Sequence, residues 1–235
     1  MNGESQKLAV RERYDRTVNE YDRIRFGRLG GKYFDALEKS YVLRFLEPGK
    51  VLHVGTATGR FARLLPARGY GYVGIEISQL MARASRQSGN SDPEIVNGDG
   101  EVLPFVSGYF DNVLSVRSFH FLPNPRSFLL EAKRVLKPSG RVVVSFETFV
   151  AARPMMEGLR ILPKPLPARA TYRVQEVRKM FQQAGLDVVW SGKVTNLPLI
   201  VFFRSSGLPA KLIRRLHPYL PTILGTVGLV VGRPG

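Results

Sequence analysis

No cysteine occurs among the 235 residues. A disulfide framework, a thiolate metal site and a cysteine nucleophile are therefore excluded together. No apolar run approaches the ~18–20 residues of a membrane-spanning helix. The longest stretches, 197–203 and 222–231, are too short, and Gly225 and Gly228 interrupt the second. The amino-terminal MNGESQKLAVRERYDR is polar and charged, without the apolar segment of a secretory signal. A cytoplasmic protein is the expectation. Internal repeats and low-complexity tracts are absent as well, and no metal site is expected. Acidic side chains are few: 19 Asp+Glu stand against 35 Lys+Arg, for a net charge of +16. What the chain does have, 44% hydrophobic residues, is incompatible with global disorder. Chains near this length bury roughly 70–75% of the surface they expose when unfolded, enough for a substantial core.

The positive charge is unevenly spread. Residues 1–48 carry 10 basic and 8 acidic side chains, residues 49–150 carry 12 and 8, and residues 151–235 carry 13 and 3. Such lopsidedness fits an anionic partner or surface on one side of the molecule. An arginine-rich composition inherited from the source organism is the competing account.

A single domain over 1–235 is expected, in three stretches. From about Lys7 to Leu46 the chain reads as helical. Val10, Tyr14, Val18 and Tyr21 recur at helical spacing, and Gly27, Gly30 and Gly31 interrupt them. Phe34, Leu37, Tyr41 and Phe45 resume the stripe before Pro48 and Gly49 end it. Over 49–150, apolar runs at 51–54, 72–77, 95–96, 110–116 and 141–146 read as strands. Helical stretches at 60–67, 125–136 and one ending at 85 alternate with them. Repeated strand–helix–strand units predict an α/β fold, a doubly wound, mostly parallel sheet with helices on both faces. The stretch 151–170 holds Pro154, Pro163, Pro165 and Pro167 and reads as a loop or lid. Beyond it come a helix over 171–183, a strand over 186–190, a short basic amphipathic helix over 209–216 and a last strand over 228–231.

Chemistry concentrates where strands end. The first strand runs into Gly55, Thr56, Ala57, Thr58 and Gly59, a tight turn ahead of a helix. Small residues there let a ligand approach the backbone, and the helix N-terminus offers N–H donors to a carboxylate or phosphate. The spacing is G-x-x-x-G with Ala57 in the middle, not the dinucleotide fingerprint G-x-G-x-x-G. Glu76 ends the second strand, where a carboxylate can accept both ribose hydroxyls of an adenosine-containing ligand. Asp99 and Gly100, in NGDG, close the third strand at the same edge.

Together with RVLKPSGRVVVSFE, these motifs resemble those of the class I S-adenosylmethionine-dependent methyltransferases, in the type-11 branch that includes quinone and lipid methylases. The family's D/E-x-G-x-G-T-G-R is matched by His53, Gly55, Ala57, Thr58, Gly59 and Arg60. Its acid on the second strand is matched by Glu76, and Met81 falls at a common adenine contact. Its G-D-A-E-x-L-P-F is matched by Gly98, Asp99, Gly100, Glu101, Leu103, Pro104 and Phe105, and its L-K-P-G-G turn by Leu136 to Gly140. The chain departs from the pattern at His53, where an acid usually helps place the cofactor's methionine moiety, and at Ala57, where a glycine is usual. The resemblance implies a Rossmann-like seven-stranded sheet with an N-terminal helical cap and S-adenosyl-L-methionine as cofactor. It implies a cofactor site of Tyr21, His53, Gly55, Thr56, Ala57, Thr58, Gly59, Glu76, Ile77, Met81, Asp99, Gly100 and Val116, with Asp99 meeting the adenine amino group.

Methyl transfer from a sulfonium is an in-line displacement in which the protein mainly orients the partners. A base is needed only where the acceptor loses a proton. His120 matches a histidine frequent in the family after the fourth strand, and reads as acceptor orientation or general base, or as a loop histidine packed on the sheet edge. Arg117 reads as a ligand for an acidic acceptor group or as the partner of a surface carboxylate. Tyr21, and Tyr14 after it, read as cofactor or acceptor contacts in the cap, or as helix packing. The acceptor pocket is expected from the cap, 151–170 and 196–225. Apolar 197–203 and the mix of Leu212, Ile213 and Leu216 with Lys211, Arg214 and Arg215 suit a small-molecule or lipid acceptor, or an anionic membrane surface. The same residues equally suit a helix covering the sheet. An RNA methyltransferase using the basic surface, and an inactive cofactor-binding partner subunit, are the rival readings; nucleic acid is disfavoured because no RNA-binding appendage or stacking platform is present. The sequence leaves the oligomeric state open.

Overall fold

The structure is a computed structural model and describes residues 2–27, 29–88, 93–148, 170–194 and 227–235. Seven strands, β1 (Lys50–Val54), β2 (Gly71–Glu76), β3 (Glu94–Asn97), β4 (Phe110–Val116), β5 (Leu136–Glu147), β6 (Leu186–Lys193) and β7 (Val227–Pro234), form one sheet. Their order is β3-β2-β1-β4-β5-β7-β6. Only β7 runs against its neighbours, pairing antiparallel with β5 and β6 while the other pairs are parallel. The chain steps outward from β1 to β2 and β3, then returns to β4 on the other side of β1. That reversal opens a crevice at the carboxyl ends of β1 and β4, where open α/β sheets bind ligands.

The helices are α1 (Gly3–Thr17), α2 (Tyr21–Phe26), α3 (Leu29–Phe45), α4 (Arg60–Leu64), α5 (Gln79–Arg86), α6 (Pro125–Val135) and α7 (Val174–Gln183). Local caps start several of them. The Asn2 side chain accepts the Ser5 N–H, Ser78 the Met81 N–H, and Asn124 the Ser127 N–H. Before α7, the Glu176 carboxylate accepts the Arg173 N–H at 2.7 Å.

Side chains alternate along the central strands and build two cores. Leu52, Val54, Val142 and Val144 pack with Phe128 and Leu129 of α6 and with Val177 and Phe181 of α7. Val51, Leu114, Val143, Leu229 and Val231 pack with Val42 and Phe45 of α3 and with Phe61 of α4. Period-2 alternation between two apolar layers is what a sheet covered on both faces requires.

Several boundaries differ from the sequence reading for local reasons. The helix after β1 ends at Leu64, and Pro66, which has no N–H to donate, converts the remainder into a 3-10 turn over Pro66–Arg68. The first helix begins at Gly3, because Asn2 caps it, and stops at Thr17; Tyr21 therefore opens a separate helix. β5 begins at Leu136, which pairs with Phe110 ahead of a register shift. α7 begins at Val174 because Tyr172 is drawn into a bridge with Thr148. The expected lid over 151–169, the apolar stretch 197–203 and the helix over 209–216 lie outside the described residues. Among the described residues no helix is long and apolar enough to cross a membrane.

Candidate functional site

β1 delivers the chain into the crevice through Gly55, whose φ of +80° belongs to the left-handed region. A Cβ here would lie 2.4 Å from the Ser118 Cβ, so the close approach of the two strand exits also demands glycine. The Gly55 N–H donates to the Ile75 carbonyl at 2.8 Å, tying the turn to β2. Ala57 follows with φ +48°, unusual for a residue with a Cβ. Its N–H donates to Glu76 Oε2 at 2.9 Å, while Glu76 Oε1 accepts the Ser78 N–H at 3.1 Å. Burial raises the Glu76 carboxyl's pKa, and these backbone donors work in the opposite direction.

α1 lies over this edge as a strap fastened at polar points. Lys7 Nζ meets Asp99 Oδ2 at 2.6 Å and Glu101 Oε2 at 2.9 Å. Burial alone would weaken the lysine's hold on its proton, but the two carboxylates outweigh it and raise the pKa. Asp15 Oδ1 accepts from the Ser78 hydroxyl at 2.6 Å and from the Leu80 N–H at 3.2 Å. Just beyond, Asp22 on α2 accepts the Thr58 hydroxyl at 2.6 Å.

Between sheet edge and helices lies a cavity of about 500 Å³, within the usual range for small-molecule sites. Gly55, Thr56, Ala57, Glu76, Ile77, Met81, Asp99, Gly100 and Val116 border it on the sheet side; Tyr14, Tyr21, Arg25, Phe34 and Glu38 border it on the helix side. Tyr14 and Tyr21 meet edge to face at 6.0 Å, and Tyr14 also packs on Phe121 at 5.7 Å. The two tyrosines thus serve at once as helix packing and as cavity wall.

His53 and Arg117 also border the cavity. His53 Nδ1 is 2.9 Å from the Tyr72 hydroxyl, and its Nε2 has no hydrogen-bond partner among the described residues. Burial, and secondarily the charge of Arg60, push its pKa down to about 3, so the ring is neutral at pH 7. Arg117 leaves β4 with φ +57°, a conformation costing a non-glycine residue on the order of 1–3 kcal/mol. Its N–H is shared between the Ser145 carbonyl at 3.0 Å and the Ser145 hydroxyl oxygen at 3.1 Å. Ser145 in turn donates to Glu38 Oε1 at 2.9 Å, and Glu38 Oε2 meets Arg60 at 2.6 Å. Asp35 holds the other arm of Arg60 at 2.7 Å. Burial would raise the Glu38 pKa, yet Arg60 and Arg117 override it and keep the carboxylate low.

Three expected site residues stand behind the wall. Thr58 spends its hydroxyl on Asp22. Gly59, at φ +85°, caps α4. His120 is 1% exposed; its Nδ1 accepts the Glu147 N–H at 3.3 Å, and its ring packs on Phe121 at 4.5 Å. Of its two expected roles, these contacts fit packing at the sheet edge. Sequence reasoning passed over Lys7, Arg25, Asp35 and Glu38, and took from the Tyr14-Asp15 and Tyr21-Asp22 pairs only the tyrosines. The signal for Asp35 and Glu38 was a pair of acids at i and i+3 beside Phe34, on a helix otherwise read only for its apolar stripe. Among the described residues no cluster of His, Asp or Glu is arranged to hold a metal ion.

Comparison with known proteins finds similarity that centres on the core. Residues 52–144 match the family model described as a methyltransferase domain. An uncharacterized protein of Methanocaldococcus jannaschii is 31% identical over 137 residues, covering 56% of this chain and 59% of that protein. A demethylmenaquinone methyltransferase of Thermotoga maritima is 31% identical over 149 residues, covering 61% and 63%. The chain thus spans well under two thirds of these relatives' lengths. Among solved structures, the methyltransferase chain from the complex with the Haloferax volcanii Trm112 methyltransferase activator superposes with TM-score 0.71 at 22% identity, covering 96% of this chain and 98% of that one. Residues 52–144 thus resemble a methyltransferase domain, and the sheet has the Rossmann-like fold of the solved structure on which it superposes.

Proposed function

We propose that the protein transfers a methyl group from S-adenosylmethionine to a small-molecule or lipid-like acceptor held between the sheet edge and the helical cap. The observation that carries this reading is the pairing of two carboxylates, Glu76 and Asp99, on neighbouring strand ends beside the Gly55 turn in one cavity. The residues fit the cofactor. Glu76 suits the ribose hydroxyls, Asp99 the adenine amino group, and the glycine turn the methionine end, with His53 Nε2 a further polar contact. When bound, the cofactor supplies a methyl already activated on a sulfonium.

The chain's own work is orientation and exclusion of water. Tyr14, Tyr21 and Phe34 close the helix side of the cavity, so an acceptor is confined against the sheet edge, the proximity effect that speeds a displacement. Among the described residues His120 packs against Phe121 and Glu147, and His53, which borders the cavity, has a pKa pushed down to about 3; both suit an acceptor that arrives deprotonated or loses its proton to water. A partly closed cavity with tyrosine walls favours such an acceptor over RNA. A cytoplasmic location, with the basic apolar stretch 209–216 meeting an anionic membrane, completes the proposal; co-sedimentation with phosphatidylglycerol vesicles tests that part.

Calorimetric titration tests the central claim. The wild-type chain should bind S-adenosylmethionine, and Glu76→Ala should weaken it about 10- to 100-fold, the loss of hydrogen bonds to a charged acceptor. Unchanged affinity in that variant would put the cofactor elsewhere.

A further inference from the structure

Cations and carboxylates both border the cavity, Glu147 among the latter, but they are unevenly paired. Lys7 is committed to Asp99 and Glu101, and Arg60 to Asp35 and Glu38. Arg25 and Arg117 also border the cavity. Among the described residues neither has a carboxylate within ion-pair distance, and Arg117 Nε is buried without a hydrogen-bond partner. Glu38, the acid whose field reaches Arg117, already divides its oxygens between Arg60 and the Ser145 hydroxyl.

The backbone fixes these positions. The left-handed turn at Arg117, anchored on Ser145, sets the side chain at the cavity. Arg25 is held on α2 with its guanidinium 5.3 Å from the centre of the Tyr21 ring. Tyr21 first of all keeps Arg25 strongly charged against burial. Arg117 is pushed down to about 10, chiefly by burial and next by the charge of Arg25. Two mutually repelling guanidinium groups at a partly closed cavity are an incomplete site. An oxyanion between them relieves the repulsion, and two of its oxygens match the fork of donors that guanidinium presents.

We propose that Arg25 and Arg117 together bind an anionic group of the methyl acceptor, a carboxylate or a phosphate, and so determine which end of the acceptor points toward the cofactor. The assignment rests on the methyl-transfer reading of this cavity. It makes the acceptor an acid, and it gives the strained backbone at Arg117 a purpose.

The test is calorimetric titration of sodium benzoate, and separately of inorganic phosphate, into protein saturated with S-adenosylhomocysteine. At least one anion should bind in the millimolar range or tighter, benzoate alone indicating a carboxylate and phosphate alone a phosphate. Arg25→Met and Arg117→Met should each weaken it at least tenfold, while S-adenosylhomocysteine affinity within twofold of wild type reports an intact fold. Arg117→Lys, which keeps charge and loses the fork, should fall between. Failure of both anions to bind the wild type, or binding that persists in both methionine variants, overturns the proposal. If the wild type does not bind S-adenosylhomocysteine, the cofactor reading fails separately, and the anion titration without it still decides this one.

Discussion

Along the sheet edge, Glu76 is held by the backbone N–H groups of Ala57 and Ser78, so its position follows from the path of the chain. Across the cavity, Arg60 is held by the long side chains of Asp35 and Glu38, and Glu38 by the Ser145 hydroxyl. One wall is specified by main chain and the other by a side-chain network contributed from three separate elements, α3, α4 and β5. Backbone-specified sites vary little with their surroundings. Side-chain networks depend on every partner being present, which makes the second wall the place where specificity is set and stability is at risk.

Breaking the second wall should have the largest effect. Arg60→Met leaves the buried Glu38 without its cation, while Asp35 keeps Lys39; an uncompensated buried charge costs about 3–5 kcal/mol, to be read from urea unfolding. A loss below 1 kcal/mol would mean that the network is not what holds α3 to the sheet. The sheet edge should instead reveal itself through pH. His53 has a folded pKa lowered to about 3, below its unfolded value, so the unfolded chain binds the extra proton. Its contribution is therefore present above about pH 6.5 and lost as pH falls toward 3, at up to about 1.4 kcal/mol per pH unit. His53→Gln should flatten the stability profile between pH 6 and 4 relative to wild type, in parallel denaturant series. The smallest effect belongs to Ala57→Gly. Relief of the φ +48° strain, offset in part by glycine's freedom when unfolded, should stabilise by about 0.5 kcal/mol in thermal unfolding.

The same contrast explains what could be read from sequence. The order of strands and helices over 49–150 was legible because both-face burial leaves continuous apolar runs, and Gly55, Glu76 and Asp99 were legible because backbone-built sites need fixed residue types at fixed places. Arg25, Asp35 and Glu38 were not, since a charged residue on an amphipathic helix looks like a solvated one until its partners are known. His120 was open to two readings, acceptor contact or packing on the sheet edge, and the 3-10 turn over Phe119–Phe121 buries it in a way that fits the second. Thr58 and Gly59 lay in the right turn, yet the Thr58 hydroxyl goes to Asp22 and Gly59 caps α4.

The strap formed by α1 has a thermodynamic signature of its own. Only Val10 of this helix is buried, while Lys7 and Asp15 tie it to the loops beneath. A cover held by charge and hydrogen bonds, with little apolar area, loosens as ionic strength rises, whereas the sheet under it, held by hydrocarbon packing, does not. Salt should thus govern how readily the cleft exchanges its contents without altering the fold that shapes it.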